Sequence, residues 1–398
     1  MTVARPPEAG LAAAVNATYV AFVGAGFGFA SWASRIPQVR DHLHLNPATL
    51  GLVLLSLAAG SLVALPLSGP FVSRFGSRRV LISMALLMGA ALLVVSAGYV
   101  AGLAILVVGL FFFGVAAGTW DVAMNVHGAV VERLMGRSVM PRFHAGFSLG
   151  TVAGALVGAA MVGLGVPVTL HLAVVAVVVE VFVAARGRRF VDDLPGGRGA
   201  EDTADRRPPF ASWLEPRTLL IGVFVFAFAF AEGTGNDWIS VAMIDSYGTR
   251  AAVGTLGFAA FLTAMTVGRW FGPRILDRWG RVRVVRTLCV VALVGLVVFV
   301  VGRAATPIGF VGVTLWGLGT SLGFPVGMSA GADDPRTAPA RVSVISSIGY
   351  FAFLAGPPFI GFLGNRVGVL TALSAVALVL ALAAAVAGEV RPLRVPTD

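Results

Sequence analysis

The fold is decided by two segments that repeat each other, Gly69-Pro-Phe-Val-Ser-Arg-Phe-Gly-Ser-Arg-Arg79 and Pro273-Arg-Ile-Leu-Asp-Arg-Trp-Gly-Arg-Val-Arg283. They start 204 residues apart in a chain of 398, and the same offset brings Met124 onto Met328. An internal repeat of half the chain length predicts two similar halves that enclose a central site.

The sequence around these segments is too apolar for a water-facing surface. Apolar residues make up 57% of it, charged residues only 12%, and the mean hydropathy is +0.89. An apolar run of about 20 residues crosses the roughly 30 Å hydrocarbon core of a bilayer. We therefore predict an all-α membrane protein with twelve spans, near 11–34, 48–72, 79–98, 102–131, 142–163, 167–186, 217–243, 251–276, 283–302, 307–330, 342–363 and 367–388.

One long polar stretch separates the first six runs from the last six. It is rich in Asp, Glu, Arg, Gly and Pro, a composition typical of a linker. We expect a first bundle at 1–186, a linker at 187–216 and a second bundle at 217–398. The first run is too long for a cleaved signal peptide and is taken as a retained helix.

Arginines set the expected orientation in the membrane. If the N-terminus is cytoplasmic, the outer loops hold only Arg35, Arg40, Arg250, Arg303 and Arg366, and the inner loops hold most of the others. Positive charge accumulates on the cytoplasmic side of membrane proteins. We therefore expect a multi-pass protein of the cytoplasmic membrane, with both termini and the linker inside. The net charge of +10 is explained by this bias, without nucleic acid.

Several other classes are disfavoured by the residues. The lone Cys289 allows neither a disulfide nor a thiolate metal cluster within the chain. No nucleotide-binding loop of the Gly-x-x-x-x-Gly-Lys type, metal-spaced histidine cluster or Ser-His-Asp order is present. We expect neither an enzyme nor a cofactor.

The two repeated segments resemble the signature G-x-x-x-D-R-x-G-R-R/K of the major facilitator superfamily, between its second and third helices. The resemblance implies twelve helices in two pseudo-symmetric six-helix bundles, with the acid of each copy helping to close the cytoplasmic side. The first copy has Ser73 instead of the acid, while the second keeps Asp277. The residues expected at this gate are Ser73, Arg74, Arg269, Asp277 and Arg278. Arg269 could instead extend to the interface or pair with an acid.

The fourth run contains Trp120-Asp-Val-Ala-Met-Asn-Val-His-Gly128, which is similar to the acid-x-Ala-x-Asn segment of the fucose permease branch. In that branch the acid belongs to a proton-coupled sugar site, so the resemblance assigns its place to Asp121 and that of the asparagine to Asn125. Arg35-Ile-Pro-Gln38 and Gly323-Phe-Pro-Val-Gly-Met-Ser329 also resemble segments of the branch. However, its acid before the first proline is Ala33 here.

The residues themselves also point to Asp121. It lies about 18 Å along the helix from Arg133, near mid-membrane. It shares one helical face with a series at spacings of three and four residues: Gly114, Gly118, Asn125, Gly128 and Glu132. Glycines allow close helix approach, and acids are rare and functional in lipid. Desolvation disfavours an ionised carboxyl, so Asp121 is a candidate proton site. A structural acid paired with an arginine or a backbone group is the alternative.

The seventh run supplies a second acid. Glu232, Asn236 and Ser240 share one face, while Asp237 lies nearer the outer end, where a solvated role is as plausible. Two intramembrane acids from opposite halves fit a central site for a proton and a polar solute. Glycines beside Glu232 would also allow this helix to break and bend.

Further polar and aromatic side chains are candidates for lining a cavity, since aromatic walls suit sugar rings and planar solutes alike. These are Asn16, Tyr19, Trp32, Trp120 and Trp316.

Together these features predict a monomeric secondary transporter that works by alternating access. The leading hypothesis is a proton-coupled symporter of a small polar organic solute, sugar-like by resemblance. A proton-driven exporter of amphipathic compounds is the first alternative. A membrane sensor that binds without translocating is the second.

Overall fold

The computed structural model describes residues 8–136, 139–190, 211–334 and 337–393, and these are helical almost throughout, without strands. The predicted termini and the centre of the linker lie outside the described residues. The α-helices are α1 (Glu8–Ala33), α2 (Ile36–His42), α3 (Pro47–Phe75), α4 (Ser77–Ala101), α5 (Leu103–Met135), α6 (Met140–Gly163), α7 (Val168–Gly187), α8 (Pro216–Tyr247), α9 (Ala251–Trp279), α10 (Arg281–Val301), α11 (Thr306–Thr320), α12 (Gly323–Gly331), α13 (Ala338–Val367), α14 (Val369–Ala372) and α15 (Ala375–Val386). Two 3₁₀ turns, Ala211–Leu214 and Ala387–Val390, complete them.

Twelve stretches of the described chain are long and apolar enough to cross a membrane, which confirms the twelve predicted spans. Most observed ends lie within four residues of the predicted ones. Where they differ, the helix usually continues past the apolar run into the interface. The first span differs most, since α2 carries it to His42. The fourth span is α5, the seventh α8, the eighth α9 and the ninth α10.

The chain divides into two compact units, Met1–Gly197 with Ala251–Ala259, and Arg198–Arg250 with Ala260–Asp398. In each unit the repeated segment folds alike. α3 ends at Gly76, with φ 80° and ψ 148°, and α9 ends at Gly280, with φ 76° and ψ 154°. Positive φ strains a residue with a Cβ atom, which explains the glycine in both copies.

Small residues let the helices of the first unit approach closely. A Cβ atom added to Gly60 would meet the Phe111 carbonyl oxygen, and one added to Gly114 would meet that of Leu57. α3 and α5 therefore pack backbone against backbone, as small residues permit in membranes. This contact fixes the face that carries Asp121.

The tenth span is interrupted, whereas the seventh is not. α11 ends at Thr320 and α12 begins at Gly323, so Ser321 and Leu322 separate two helices inside one span, Thr306–Gly331. The break that the glycines near Glu232 would allow does not occur, because α8 runs unbroken. Its glycines serve packing instead: a Cβ atom on Gly233 would meet Phe353, and one on Gly235 would meet Phe261.

Candidate functional site

Asp121 lies inside the fourth span as residue 19 of the 33 in α5. Asn125 donates from Nδ2 to the Asp121 carbonyl oxygen at 2.8 Å and to its carboxylate Oδ1 at 3.2 Å. Both side chains are half-buried. Within the described part of the chain no arginine or histidine forms an ion pair with this carboxylate. Its recorded partner is therefore the neutral amide one turn away.

The other residues of the predicted face on α5 have two roles, helix packing and capping of α6. A Cβ atom on Gly118 would contact Ser61 of α3, and one on Gly128 would contact Met140 of α6. The Glu132 carboxylate accepts hydrogen bonds from the N–H groups of Val139 and Met140 at 2.7 and 2.8 Å. Glu132 thus stabilises the start of α6, where free N–H groups and the helix dipole favour an anion.

The second unit places Glu232 beside Arg269. An Arg269 guanidinium nitrogen donates to Glu232 Oε2 at 2.8 Å, and its Nε donates to the Ser321 carbonyl oxygen at 3.2 Å. Glu232 is residue 17 of the 32 in α8, and Ser321 lies at the break between α11 and α12. The exposed fractions are 16% for the Glu232 side chain and 27% for that of Arg269. One guanidinium therefore joins three spans while remaining accessible.

The close contact of α9 with the break depends on Gly268. A Cβ atom there would collide with the Ser321 side chain. Of the two alternatives for Arg269, the structure shows pairing with an acid.

Two further polar side chains on α8, those of Asn236 and Ser240, contain buried atoms without a hydrogen-bond partner among the described residues. The Asn236 Oδ1 and Ser240 Oγ atoms are buried and accept or donate no hydrogen bond there, and Asp237 has no ion pair. Asn236 and Ser240 lie one and two turns beyond Glu232, on the face predicted from the spacing. A buried polar atom left without a partner costs about 1–3 kcal/mol. This face is consequently suited to a polar ligand or water.

The predicted cavity-lining residues have different environments. Asn16 is exposed, and Tyr19 packs edge-on against Phe143 with ring centroids 4.9 Å apart. The three tryptophans are buried, with exposed fractions of 2% for Trp32 and 0% for Trp120 and Trp316. In this conformation the tryptophans belong to the packed interior, and their lining role stays a prediction.

Four of the five expected gate residues are exposed at the helix ends, whereas the fifth, Arg269, lies within α9 and is paired with Glu232. The Ser73 hydroxyl donates to the Pro70 carbonyl oxygen of its own helix at 3.0 Å. Arg74 lies over the Phe75 ring and Arg278 over that of Trp279, at 5.5 and 5.9 Å. Asp277 has no ion pair among the described residues. The gate role of these residues stays a prediction.

Asp333 is an acid that no sequence pattern singled out. It binds Arg281 at 2.7 Å and Arg217 at 3.5 Å. Arg281 also donates to Ser329 Oγ at 2.9 Å. The starts of α8 and α10 are thus tied to the end of α12.

Two buried histidines were also missed. His127 Nδ1 lies 3.0 Å from Thr18 Oγ1, and its ring stacks on Phe190 at 3.6 Å. Arg35 Nε donates to His171 Nδ1 at 2.9 Å. His127 lies within the quoted Trp120–Gly128 segment, so a histidine inside a span was the available signal.

The family model described as Major Facilitator Superfamily matches residues 18–343. The chain belongs to this superfamily. An uncharacterised MFS-type transporter of Yersinia pestis is 34% identical over 94% of this chain and 94% of its own length. An uncharacterised transporter of Sinorhizobium fredii is 31% identical over 85% and 88%. The membrane protein MosC of Rhizobium meliloti is 29% identical over 86% and 82%.

Solved structures of the superfamily share the fold at low identity. The nucleoside transporter NupG aligns with a TM-score of 0.73 and 14% identity, covering 94% of this chain and 99% of its own. The transporter FucP in its outward conformation aligns with a TM-score of 0.65 and 14% identity, covering 94% and 100%. These likenesses establish the major facilitator fold.

Superfamily membership also fixes the broad activity. The protein is a multi-pass membrane transporter and not an enzyme, as its sequence predicted. Transporters of this family bind small-molecule substrates and typically work as monomers.

Proposed function

We propose that this transporter is a proton-coupled symporter of a small polar organic solute, working by alternating access. The observation that carries the proposal is the carboxyl of Asp121, which lies inside a span with an amide as its recorded partner. A charged carboxylate is expensive in that setting unless a cation or a proton neutralises it. Among the described residues the protein supplies no such cation, so we assign the neutralising charge to a transported proton.

The polar character of the solute is inferred from the second unit. Asn236 and Ser240 have buried atoms without partners, on the face of α8 that carries Glu232. A solute with hydroxyl or amide groups can satisfy such atoms, whereas an amphipathic compound leaves them unpaired. This favours a polar solute over the exporter alternative.

Two relatives of known structure suggest the first solutes to test. One solved structure is of the fucose:proton symporter FucP of E. coli, aligned here at 15% identity and a TM-score of 0.61. NupG is a nucleoside transporter. We therefore propose a sugar-like or nucleoside-like solute, in line with the fucose permease resemblance.

We further propose that the protein resides in the cytoplasmic membrane with both termini inside, its bundles at 1–186 and 217–398 joined by a cytoplasmic linker at 187–216. The arginine bias supports this orientation. Cysteines placed in the linker should resist membrane-impermeant reagents in intact cells. Efficient labelling from outside contradicts the orientation.

The function is tested with purified protein in sealed proteoliposomes that carry a pH difference. Labelled fucose and uridine are the first probes, followed by other sugars, nucleosides and organic acids. We expect one class to accumulate with the proton gradient, together with solute-dependent proton movement reported by a pH-sensitive dye. Accumulation that does not depend on the proton gradient contradicts proton coupling. Outward movement of amphipathic dyes in exchange for protons supports export, and binding without flux supports a sensor.

A further inference from the structure

A cavity of about 520 Å³ opens at the end of α9, and its lining is basic. Four arginines contribute to it, together with the flanking residues Trp279, Gly280, Val282, Thr287 and Pro392. The arginines are Arg281, Arg283, Arg286 and Arg391. All lie in the second unit, at the helix ends and not at the interior site.

Only one of these arginines has an acidic partner among the described residues. Arg281 pairs with Asp333 at 2.7 Å. Arg283 lies over the Trp279 ring at 5.6 Å, and Arg286 and Arg391 are exposed without an ion pair. Three uncompensated guanidinium groups around one cavity form a site for an anion with several oxygen acceptors, such as a phosphate group.

The surface beside the cavity is apolar. From Arg283 and Arg286, one face of α10 continues through Val290, Val294 and Val297, whose side chains are 56%, 48% and 54% exposed. These positions follow at spacings of three and four residues, so they form one stripe. A charged head and an apolar stripe on the same face match a phospholipid, whose phosphate and acyl chains are joined in one molecule. A soluble phosphate has no apolar part that could contact this stripe.

The described part of the first unit has other residues at two of these positions, although its sequence repeats the same segment and Arg79 matches Arg283. The repeat offset places Ser77 opposite Arg281 and Ile82 opposite Arg286. Ile82 packs beside Gly187, the last residue of α7. In the second unit Arg286 extends beside Gly388, at the end of the last span. The same position of the repeat is therefore an apolar contact in the first unit and part of a basic cavity in the second.

We propose that this cavity binds the headgroup of an anionic phospholipid, with an acyl chain along the valine stripe of α10. Basic pockets between helices at the cytoplasmic interface are suited to acidic lipid headgroups. The exposed Trp279, 53% accessible, belongs at the same depth, where tryptophan is enriched. The inference is independent of the transported solute.

The test uses native mass spectrometry on the full chain in detergent, titrated with phosphatidylglycerol or with phosphatidylcholine of the same acyl chains. We expect the apparent Kd for phosphatidylglycerol to be at least tenfold lower. The double variant Arg283→Gln with Arg286→Gln should weaken phosphatidylglycerol binding about thirtyfold, because the loss of each arginine lowers the affinity for an acidic lipid by roughly fivefold. Arg286→Lys should retain most of the binding.

Arg303→Gln, at the other end of α10, is the matched control and should leave the Kd unchanged. Equal affinity of the unmodified protein for the two lipids overturns the proposal and requires no variant. Unaltered binding in the double variant also overturns it. Glycerol 3-phosphate at millimolar concentration should not displace the lipid. If it competes fully, the cavity is a site for soluble phosphates and the lipid assignment is wrong.

Discussion

Asp121 and Glu232, one intramembrane acid from each unit, have different electrostatic environments. Asp121 is hydrogen-bonded by Asn125 of its own helix, and its recorded contacts remain within α5. Glu232 is paired with Arg269 from α9, which also reaches the Ser321 carbonyl oxygen. The first acid can change charge without breaking an ion pair, whereas the second cannot. We infer that Asp121 is suited to carrying a proton and Glu232 to holding structure.

The largest effect is expected from Asp121→Asn. The amide preserves the shape but cannot bind and release a proton, so accumulation against a gradient should be lost while exchange of solute persists. One proton per solute supports about tenfold accumulation per unit of pH difference. The measurement is uptake into proteoliposomes with and without that difference.

Asp41→Asn provides the control, because Asp41 is an exposed acid beside Arg40. It should accumulate solute normally. If Asp121→Asn also accumulates normally, Asp121 has no coupling role and the comparison above fails.

The next effect concerns the stability of the Glu232–Arg269 pair. Glu232→Gln or Arg269→Gln leaves a half-buried charge without its partner, so each should lower the Tm in detergent by roughly 2–4 °C, the equivalent of about 1 kcal/mol. The double variant should lose less than the sum of the two. Differential scanning fluorimetry measures all three. If the Tm loss of the double variant equals the sum of the two single losses, the two side chains do not stabilise each other.

Arg269→Lys sharpens the same point with a smaller change. Lysine keeps the charge but lacks the planar fork that reaches Glu232 and Ser321 together. Losing one hydrogen bond is equivalent to about 1 kcal/mol, so the initial rate of uptake should fall about fivefold. Arg250→Lys, an exposed arginine at the other end of α9, should leave the rate unchanged. Equal rates for both variants argue against a role for the Ser321 contact.

The smallest effect is expected at the gate. If Asp277 helps to close the cytoplasmic side, Asp277→Asn should raise the inward-open population about two- to fivefold, the equivalent of 0.3–1 kcal/mol for a carboxylate near a helix end. Ser73→Ala should change it less, because Ser73 carries no charge. Spin-label distance distributions across the cytoplasmic ends measure the population. An unchanged distribution for Asp277→Asn rejects the asymmetric gate.

The architecture was predictable because lipid imposes simple rules. Apolar runs of about 20 residues must form helices, since backbone groups in hydrocarbon bond within their own segment. The spans therefore followed from the positions and lengths of the apolar runs. The glycine shared by the two repeated segments, Gly76 and Gly280, was not singled out from the sequence, and the structure shows a positive φ at both positions.

The site was only partly predictable. Spacing placed Glu232, Asn236 and Ser240 on one face, but the partner of Glu232 depends on the packing of α9 against α8. The sequence leaves Arg269 with several alternatives for that reason. The break at Ser321 and the pairing of Asp333 with Arg281 depend on tertiary contacts, which local pattern does not encode.

The break in the tenth span has a consequence for deuterium exchange. A helix leaves its first N–H groups without acceptors in its own backbone, and α12 begins at Gly323, inside the span. Amides exchange through local opening, so those near 322–325 should take up deuterium faster than those in the middle of α11. Seen by this measure, one membrane crossing behaves as two segments of different stability. Arg269, bonded to the carbonyl oxygen between them, is positioned to slow that exchange whenever it is paired with Glu232.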